Sequence, residues 1–197
     1  MTAIRPMRLA THDDLATIAD IHREAYSRSH FTALLSHEVL MRYYAAFLSN
    51  GTEICVGLDD VSGAVKGFSV YGVGIPDKIA VFKKACAKAI FLTSLRHPGT
   101  AIPKALKALR SRFDRHVPYA PADFLLLSIA VVPSMRGLGN ALLSELLKTA
   151  HRKGHGTVGL YVNDENIRAI DSYYRSGFRM KDFHGNQYYM EAQVGSI

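Results

Sequence analysis

The chain has no tryptophan and only two cysteines in 197 residues. Cys55 and Cys86 lie far apart and form no Cys-x-x-Cys pair. That argues against a disulfide framework or a cysteine zinc site and fits reduced thiols. Long hydrophobic runs are missing too. The apolar stretch Phe124 to Val132 is well short of the roughly 20 residues that span a bilayer. The opening, MTAIRPMRLATHDD, has no apolar segment of the kind that a secretory signal carries. These absences together predict a cytoplasmic chain. The Asn50-Gly51-Thr52 sequon then reads as a helix-ending turn.

Several chemistries fail on single residues. His37-Glu38 is followed by Met41 where a zincin needs a second histidine. Gly67-Phe68-Ser69-Val70-Tyr71 is one glycine short of a nucleophile elbow. Nine histidines are scattered without ligand spacing, so no metal is expected. What remains is an ordinary globular composition, 48% hydrophobic and 21% charged, suited to one domain over residues 1–197.

The formal net charge of +7 is unevenly placed. Residues 76–121 hold ten Lys/Arg and two acids, a local charge of +8, which leaves the remainder near −1. A near-neutral body carries one basic insert.

Periodicity predicts a mixed α/β order. Ile4 to Leu9, Glu53 to Leu58 and Ala64 to Val73 read as strands. Helical spacing follows Leu15, Ile18, His22 and Ala25, after a capping-box-like Thr11-His-Asp-Asp14. A second helix is expected over Leu34 to Leu48. In the insert, Ile79, Phe82, Cys86, Ala89, Ile90 and Thr93 mark one face of a single helix that Pro98-Gly99 ends. A shorter basic helix is expected from about Pro103 to Phe113. Phe124 to Val132 reads as a strand buried on both faces. A helix to about Lys153, a strand at Thr157 to Val162, a helix at Asn166 to Ser176 and two last strands complete the order. The alternation of strand and helix in the second half is that of an α/β fold.

The informative stretch is 131-VVPSMRGLGNALLSELLKTA-150. A buried strand runs into a turn with Arg136, Gly137 and Gly139, and then into an amphipathic helix without a Ser, Thr or Asp cap. A helix N-terminus offers unpaired N–H groups and partial positive charge, which suit a phosphate. Glycine lets a ligand approach the backbone closely, and Arg136 adds a positive fork. The other reading is a tight turn in which glycine only solves a backbone problem. A P-loop is excluded because Asn140-Ala141 follows Gly139 in place of Lys-Ser/Thr. A Rossmann fingerprint is excluded because Leu142 stands where a third small residue is needed.

Arg-x-x-Gly-x-Ala after a buried strand, 136–141, resembles the acetyl-CoA motif of the GNAT superfamily of N-acetyltransferases, written Gln/Arg-x-x-Gly-x-Gly/Ala. A second stretch, 166-NIRAIDSYYRSGF-178, matches that family's Asn-x-x-Ala-x-x-x-Tyr-x-x-x-Gly-Phe pattern at every fixed position. The resemblance extends over most of the chain and thins out at the insert. It implies a GNAT-like α/β fold with about six to seven strands flanked by helices and the insert between strands 3 and 4. It also implies acetyl-CoA as co-substrate and transfer of an acetyl group to a primary amine, with no metal and no covalent enzyme intermediate.

By that resemblance, the backbone of Arg136, Gly137, Leu138, Gly139, Asn140 and Ala141 would hold the CoA pyrophosphate. Ile129, Ala130 and Val131 would pair with the pantetheine arm, and the Val131 N–H could polarise the thioester carbonyl. Asn166 would bind the pantetheine end, a role compatible with capping its helix. Tyr173 would protonate the departing thiolate; packing is the alternative for it.

The amine side is less determined. Many relatives carry a Glu on the motif strand, and here that strand offers Ser128 and, at its mouth, Asp123. Glu24 and His22 on the first helix are further candidates for the base, ahead of His184 and Tyr188. The insert reads as a wall for an acidic acceptor such as a nucleotide-linked amino sugar, as a membrane-surface helix, as a nonspecific RNA contact or as a solvated cover. The expected partner is a small-molecule amine, with no specific nucleic acid and with homodimerisation open. The rival from another class is a CoA-sensing or nucleic-acid-binding module without turnover.

Overall fold

A computed structural model describes residues 6–26, 31–96 and 119–195. The expected helix from Pro103 to Phe113 lies outside the described residues.

Seven strands form one mixed sheet: β1 (Met7–Leu9), β2 (Thr52–Leu58), β3 (Val65–Gly72), β4 (Phe124–Val131), β5 (Thr157–Asn163), β6 (Arg179–His184) and β7 (Gln187–Gln193). Their order across the sheet is β1-β2-β3-β4-β5-β7-β6. All neighbours are antiparallel except β4 and β5, which run parallel. Six α-helices lie among the described residues: α1 (Leu15–Ala25), α2 (His37–Ala45), α3 (Ile75–Ala85), α4 (Ala87–Arg96), α5 (Leu138–Arg152) and α6 (Ile167–Arg175).

Strand side chains alternate between two apolar layers, as the two-residue period requires. Ile54, Val56, Phe68 and Val70 face the layer shared with α1 and α2. Cys55, Tyr71, Phe124 and Leu126 face the layer filled by Leu138, Leu142 and Leu146 of α5. The expected α/β fold, strand count and position of the insert are all present.

The single helix expected from Ile79 to Thr93 is two helices. Cys86 leaves the helical region at φ −106° and ψ 18° and closes α3. Its carbonyl then accepts from the Ile90 N–H as α4 begins. The break lets Phe82 and Cys86 bury together, with the Phe82 ring 5.0 Å from that of Tyr43 on α2. Among the described residues no helix is long and apolar enough to cross a membrane.

The start of α1 is tied to β1 by one carboxylate. Asp14 accepts from both Arg8 guanidinium nitrogens, at 2.6 and 2.8 Å, and from the Thr11 N–H at 2.8 Å. The Arg8 hydrogen bond is the largest influence and holds the Asp14 carboxyl at about 2, below its ordinary value. A lowered folded-state pKa stabilises the fold above the unfolded value, near 3.9, and that gain disappears as pH falls toward 2. Arg8 is half exposed, so solvent reduces the effect. Asp14→Asn should cost about 1 kcal/mol at pH 7. Urea unfolding of both proteins should show that difference shrinking between about pH 4 and 2; a difference independent of pH would contradict this assignment.

Candidate active site

The site begins with a fault in β4. From Gly67↔Val131 to Val70↔Ser128 the β3–β4 pairing is regular, and then Tyr71 pairs with Leu126. Leu127 therefore has no partner on β3, which is a β-bulge. The extra residue bends the strand and shifts its alternation. Leu127 and Ser128 both turn toward α1: Leu127 packs against that layer's core, and Ser128 bonds Tyr26 at the end of α1.

The same point ends the pairing on the other side. Phe124, Leu125 and Leu126 pair with Val158, Gly159 and Leu160, and β4 then departs from β5. Residues 127–131 have an unpaired edge facing the gap. The Val132 N–H donates to the Lys66 carbonyl of β3. Backbone groups alternate along a strand, so the N–H groups of Ile129 and Val131 point the other way, into the gap.

Two neighbouring hollows lie in that gap. One, of about 580 Å³, lies toward α1 and α2. The other, of about 130 Å³, lies toward Gly139 and Leu143 of α5. Ile129, Ala169 and Tyr173 line both.

At the turn after β4, Gly137 occupies the N-cap of α5 in the left-handed region, φ +82°, without a side-chain cap. That position needs glycine for its backbone alone. Gly139 does not. Its φ is not positive, and a Cβ built there would meet no atom within 4 Å. Neither strain nor packing explains glycine in the first turn of a helix, where it costs about 1 kcal/mol against alanine. Open space above the N–H groups of a helix start is what an approaching anion requires. Arg136 is exposed beside this turn.

The second motif folds into α6. Asn166 is its N-cap, and its side chain accepts from the Ala169 N–H at 3.3 Å. At the other end Gly177 stands at φ +92°. The Phe178 N–H donates to the Tyr173 carbonyl and the Gly177 N–H to the Tyr174 carbonyl. This is a Schellman closure, and the hydrophobic contact that accompanies it joins Phe178 to Tyr173, with ring centroids 5.8 Å apart. The Gly-Phe pair thus ends the helix and clamps the Tyr173 ring. Ser172 donates to the Asn140 side chain at 2.8 Å and ties α6 to the turn of α5.

Tyr173 is 8% exposed, whereas Tyr174 faces outward. Burial, with a smaller contribution from the nearby Tyr26, raises the Tyr173 phenol above its ordinary value. It stays protonated and can donate.

Several of the expected CoA-side residues converge on the gap: Ile129, Ala130 and Val131 on its edge, Gly139 of the 136–141 turn at one end and Asn166 with Tyr173 on its far wall; the rest of that turn lines neither hollow. On the amine side, Ser128 and His22 line the larger hollow. Glu24 does not. It is exposed on α1 and lines none of this hollow, because His22, Ala25 and the following Tyr26 occupy the inward face. Asp123 is exposed as well, outside the hollow. The tyrosines at 26, 43 and 44 also line it. Tyr26 carried a legible signal, since it sits one helical turn after His22.

Residues 109–178 match the model of the acetyltransferase (GNAT) family. At the level of sequence, no curated protein matches the chain. Solved structures share the fold. The PaiA N-acetyltransferase of Thermoplasma acidophilum, in complex with coenzyme A, aligns at TM-score 0.62 and 19% identity, over 95% of this chain and 98% of that one. A phosphinothricin acetyltransferase of Sinorhizobium meliloti, in complex with acetyl-CoA, aligns at 0.62 and 20%, over 98% and 89%. YncA of Salmonella typhimurium, with acetyl-CoA, aligns at 0.59 and 17%, over 98% and 95%.

If Gly139 is kept for a ligand, Gly139→Ala should leave melting temperature unchanged or raise stability by up to about 1 kcal/mol. Thermal unfolding of the ligand-free protein checks this; a clear loss of stability would mean that glycine serves the fold.

Proposed function

With the GNAT fold and the family match over 109–178 as premise, we propose that the protein is an acetyl-CoA-dependent N-acetyltransferase acting on a primary amine of a small molecule. The observation that carries this reading is the pairing of an unexplained Gly139 with an open β4 edge that leads to Tyr173.

The residues suit the substrate at each end. The helix-start N–H groups over Gly139, with Arg136 beside them, would hold the CoA pyrophosphate. The outward N–H and carbonyl groups of Ile129 and Val131 would bond the pantetheine amides as a further strand would. The Val131 N–H would take the charge that develops on the thioester oxygen during attack. Asn166 would bond the arm's end. Acetyl-CoA supplies the activated acyl group, so the protein needs no nucleophile of its own.

The amine enters from the larger hollow, where Ser128 lies next to the edge amide of Ile129. Tyr173, protonated and on the opposite wall, would give its proton to the leaving thiolate. Its raised pKa makes it a weaker acid than a free phenol but ensures that the proton is present.

Calorimetric titration should give saturable one-to-one binding of acetyl-CoA. Gly139→Asp places a carboxylate against the pyrophosphate and should weaken binding tenfold or more, about 1.4 kcal/mol. Tyr173→Phe should lower kcat by about 10²-fold with little change in acetyl-CoA affinity or melting temperature. Unaltered affinity in the first variant would sink the cradle; unaltered turnover in the second would reduce Tyr173 to packing.

A further inference from the structure

The larger hollow holds an aromatic ring that the transfer leaves unused. Leu126 and Leu160 form the last pair between β4 and β5. Tyr161 is the next residue of β5, so it stands where the two strands part. Leu160 packs in the α5 layer, and by the two-residue period Tyr161 faces the α1 side. Leu127 and Ser128 turn to that same side across the gap, and all three residues line the hollow. Tyr161 is 51% exposed, whereas the hollow's other tyrosines, 26, 43, 44 and 173, are buried or half-buried.

The ring is exposed yet held in place. Tyr189 sits directly opposite on β7, with its ring 4.9 Å from that of Tyr161 at 43°. Tyr189 is buried and itself fixed: its hydroxyl accepts from the Ala122 N–H at 2.7 Å and donates to Glu191 at 2.6 Å. A Cβ on Gly159 would collide with that hydroxyl, so glycine in β5 makes room for the brace. A fixed aromatic face loses little freedom when a ligand lies on it. Aromatic pairs with centroids about 4.5–7 Å apart also gain more than the area they bury. Leu126, Leu127 and Ile79 add aliphatic surface to the same hollow, and its volume of about 580 Å³ suits a small molecule.

We propose that the acceptor is an aryl-alkyl amine whose ring lies against Tyr161 while its nitrogen points toward Ser128 and the thioester. The inference rests on the acyltransferase reading and names its substrate class. A short alkyl linker is enough, because Tyr161 and Ser128 flank the same opening on the same side of the sheet. A sugar ring stacks on a phenol as well, but it would set hydroxyls against Leu126, Leu127 and Ile79, where they lose water. Tyr161 moves no proton. It binds the acceptor equally before and during attack, so it governs KM and leaves kcat alone.

Steady-state kinetics with acetyl-CoA test this on 2-phenylethylamine, n-butylamine and glucosamine, with rates expressed per neutral amine. Wild-type kcat/KM for 2-phenylethylamine should exceed the other two by about tenfold or more. Tyr161→Ala should raise KM for 2-phenylethylamine about tenfold. It should leave kcat, n-butylamine turnover and acetyl-CoA affinity as they are, with little change in melting temperature because the ring is half exposed. Tyr161→Phe keeps the aromatic face and should keep the wild-type preference. Equal use of n-butylamine, a preference for glucosamine or turnover of none of the three would overturn the inference. So would a preference that survives Tyr161→Ala or fails in Tyr161→Phe. In each of these cases the acyltransferase reading still stands on acetyl-CoA binding. A wild-type protein that binds no acetyl-CoA would overturn both.

Discussion

The site depends on the bulge at Leu127. Without the extra residue, β4 would continue to pair with β5 along its length, and the sheet would be closed where it is now open. With it, three residues pair in parallel and the next five carry a free edge. The bulge also moves Ser128 from the α5 side of the sheet to the α1 side, because one inserted residue inverts the alternation. One irregularity thus accompanies the gap, aims the amides of Ile129 and Val131 into it and delivers a hydroxyl to the larger hollow. The unpaired backbone is stable because the adjacent hollow leaves it accessible.

The second motif shows how fold and chemistry share residues. Asn166, Ala169, Tyr173, Gly177 and Phe178 each have a structural task in α6: cap, cavity wall, inward ring, left-handed closure and hydrophobic clamp. The tasks combine on one side chain. Tyr173 is held at its backbone by the helix closure and at its ring by Phe178, while α6 is tied through Ser172 to the turn of α5. A ring fixed from three directions would lose little ordering entropy on reaction in the proposed donor role. The spacing is therefore rigid for reasons of geometry, and a site pattern was readable from helix-ending residues.

What was legible in the sequence followed locality. The turn at 136–141 and the pattern at 166–178 are short, and each fixes its structure within about one helical turn, so both stood out before any fold was known. The succession of strands and helices along the chain followed from periodicity. The bulge was not legible, because Phe124 to Val132 is apolar throughout and a continuous apolar run reads as regular strand. The break at Cys86 was missed for a related reason: no glycine or proline marks it, and the Phe82–Tyr43 packing beside it joins residues far apart in sequence. The bond from Tyr26 to Ser128 spans more than a hundred residues and no spacing rule reports it. Glu24 was a reasonable candidate by residue type, but the inward face of α1 belongs to His22 and Tyr26.

Charge placement makes sense of the chemistry chosen at the amine end. The +8 of residues 76–121 suggested a wall for an acidic acceptor, yet of the described part of that insert only Ile79 lines the larger hollow, while Lys83, Lys84 and Lys88 are exposed. The hollow among the described residues is built from phenols, a histidine, a serine, a threonine, two asparagines, a glutamine and aliphatic groups. Such walls offer an ammonium no counter-charge, and desolvation would favour the neutral amine of the proposed reaction. They also exclude the usual carboxylate as proton acceptor, since an unpaired carboxylate there would be costly. If the protein acts as proposed, a site that selects a neutral nucleophile by lacking charge must pass the reaction's proton on without placing a fixed charge beside the thioester.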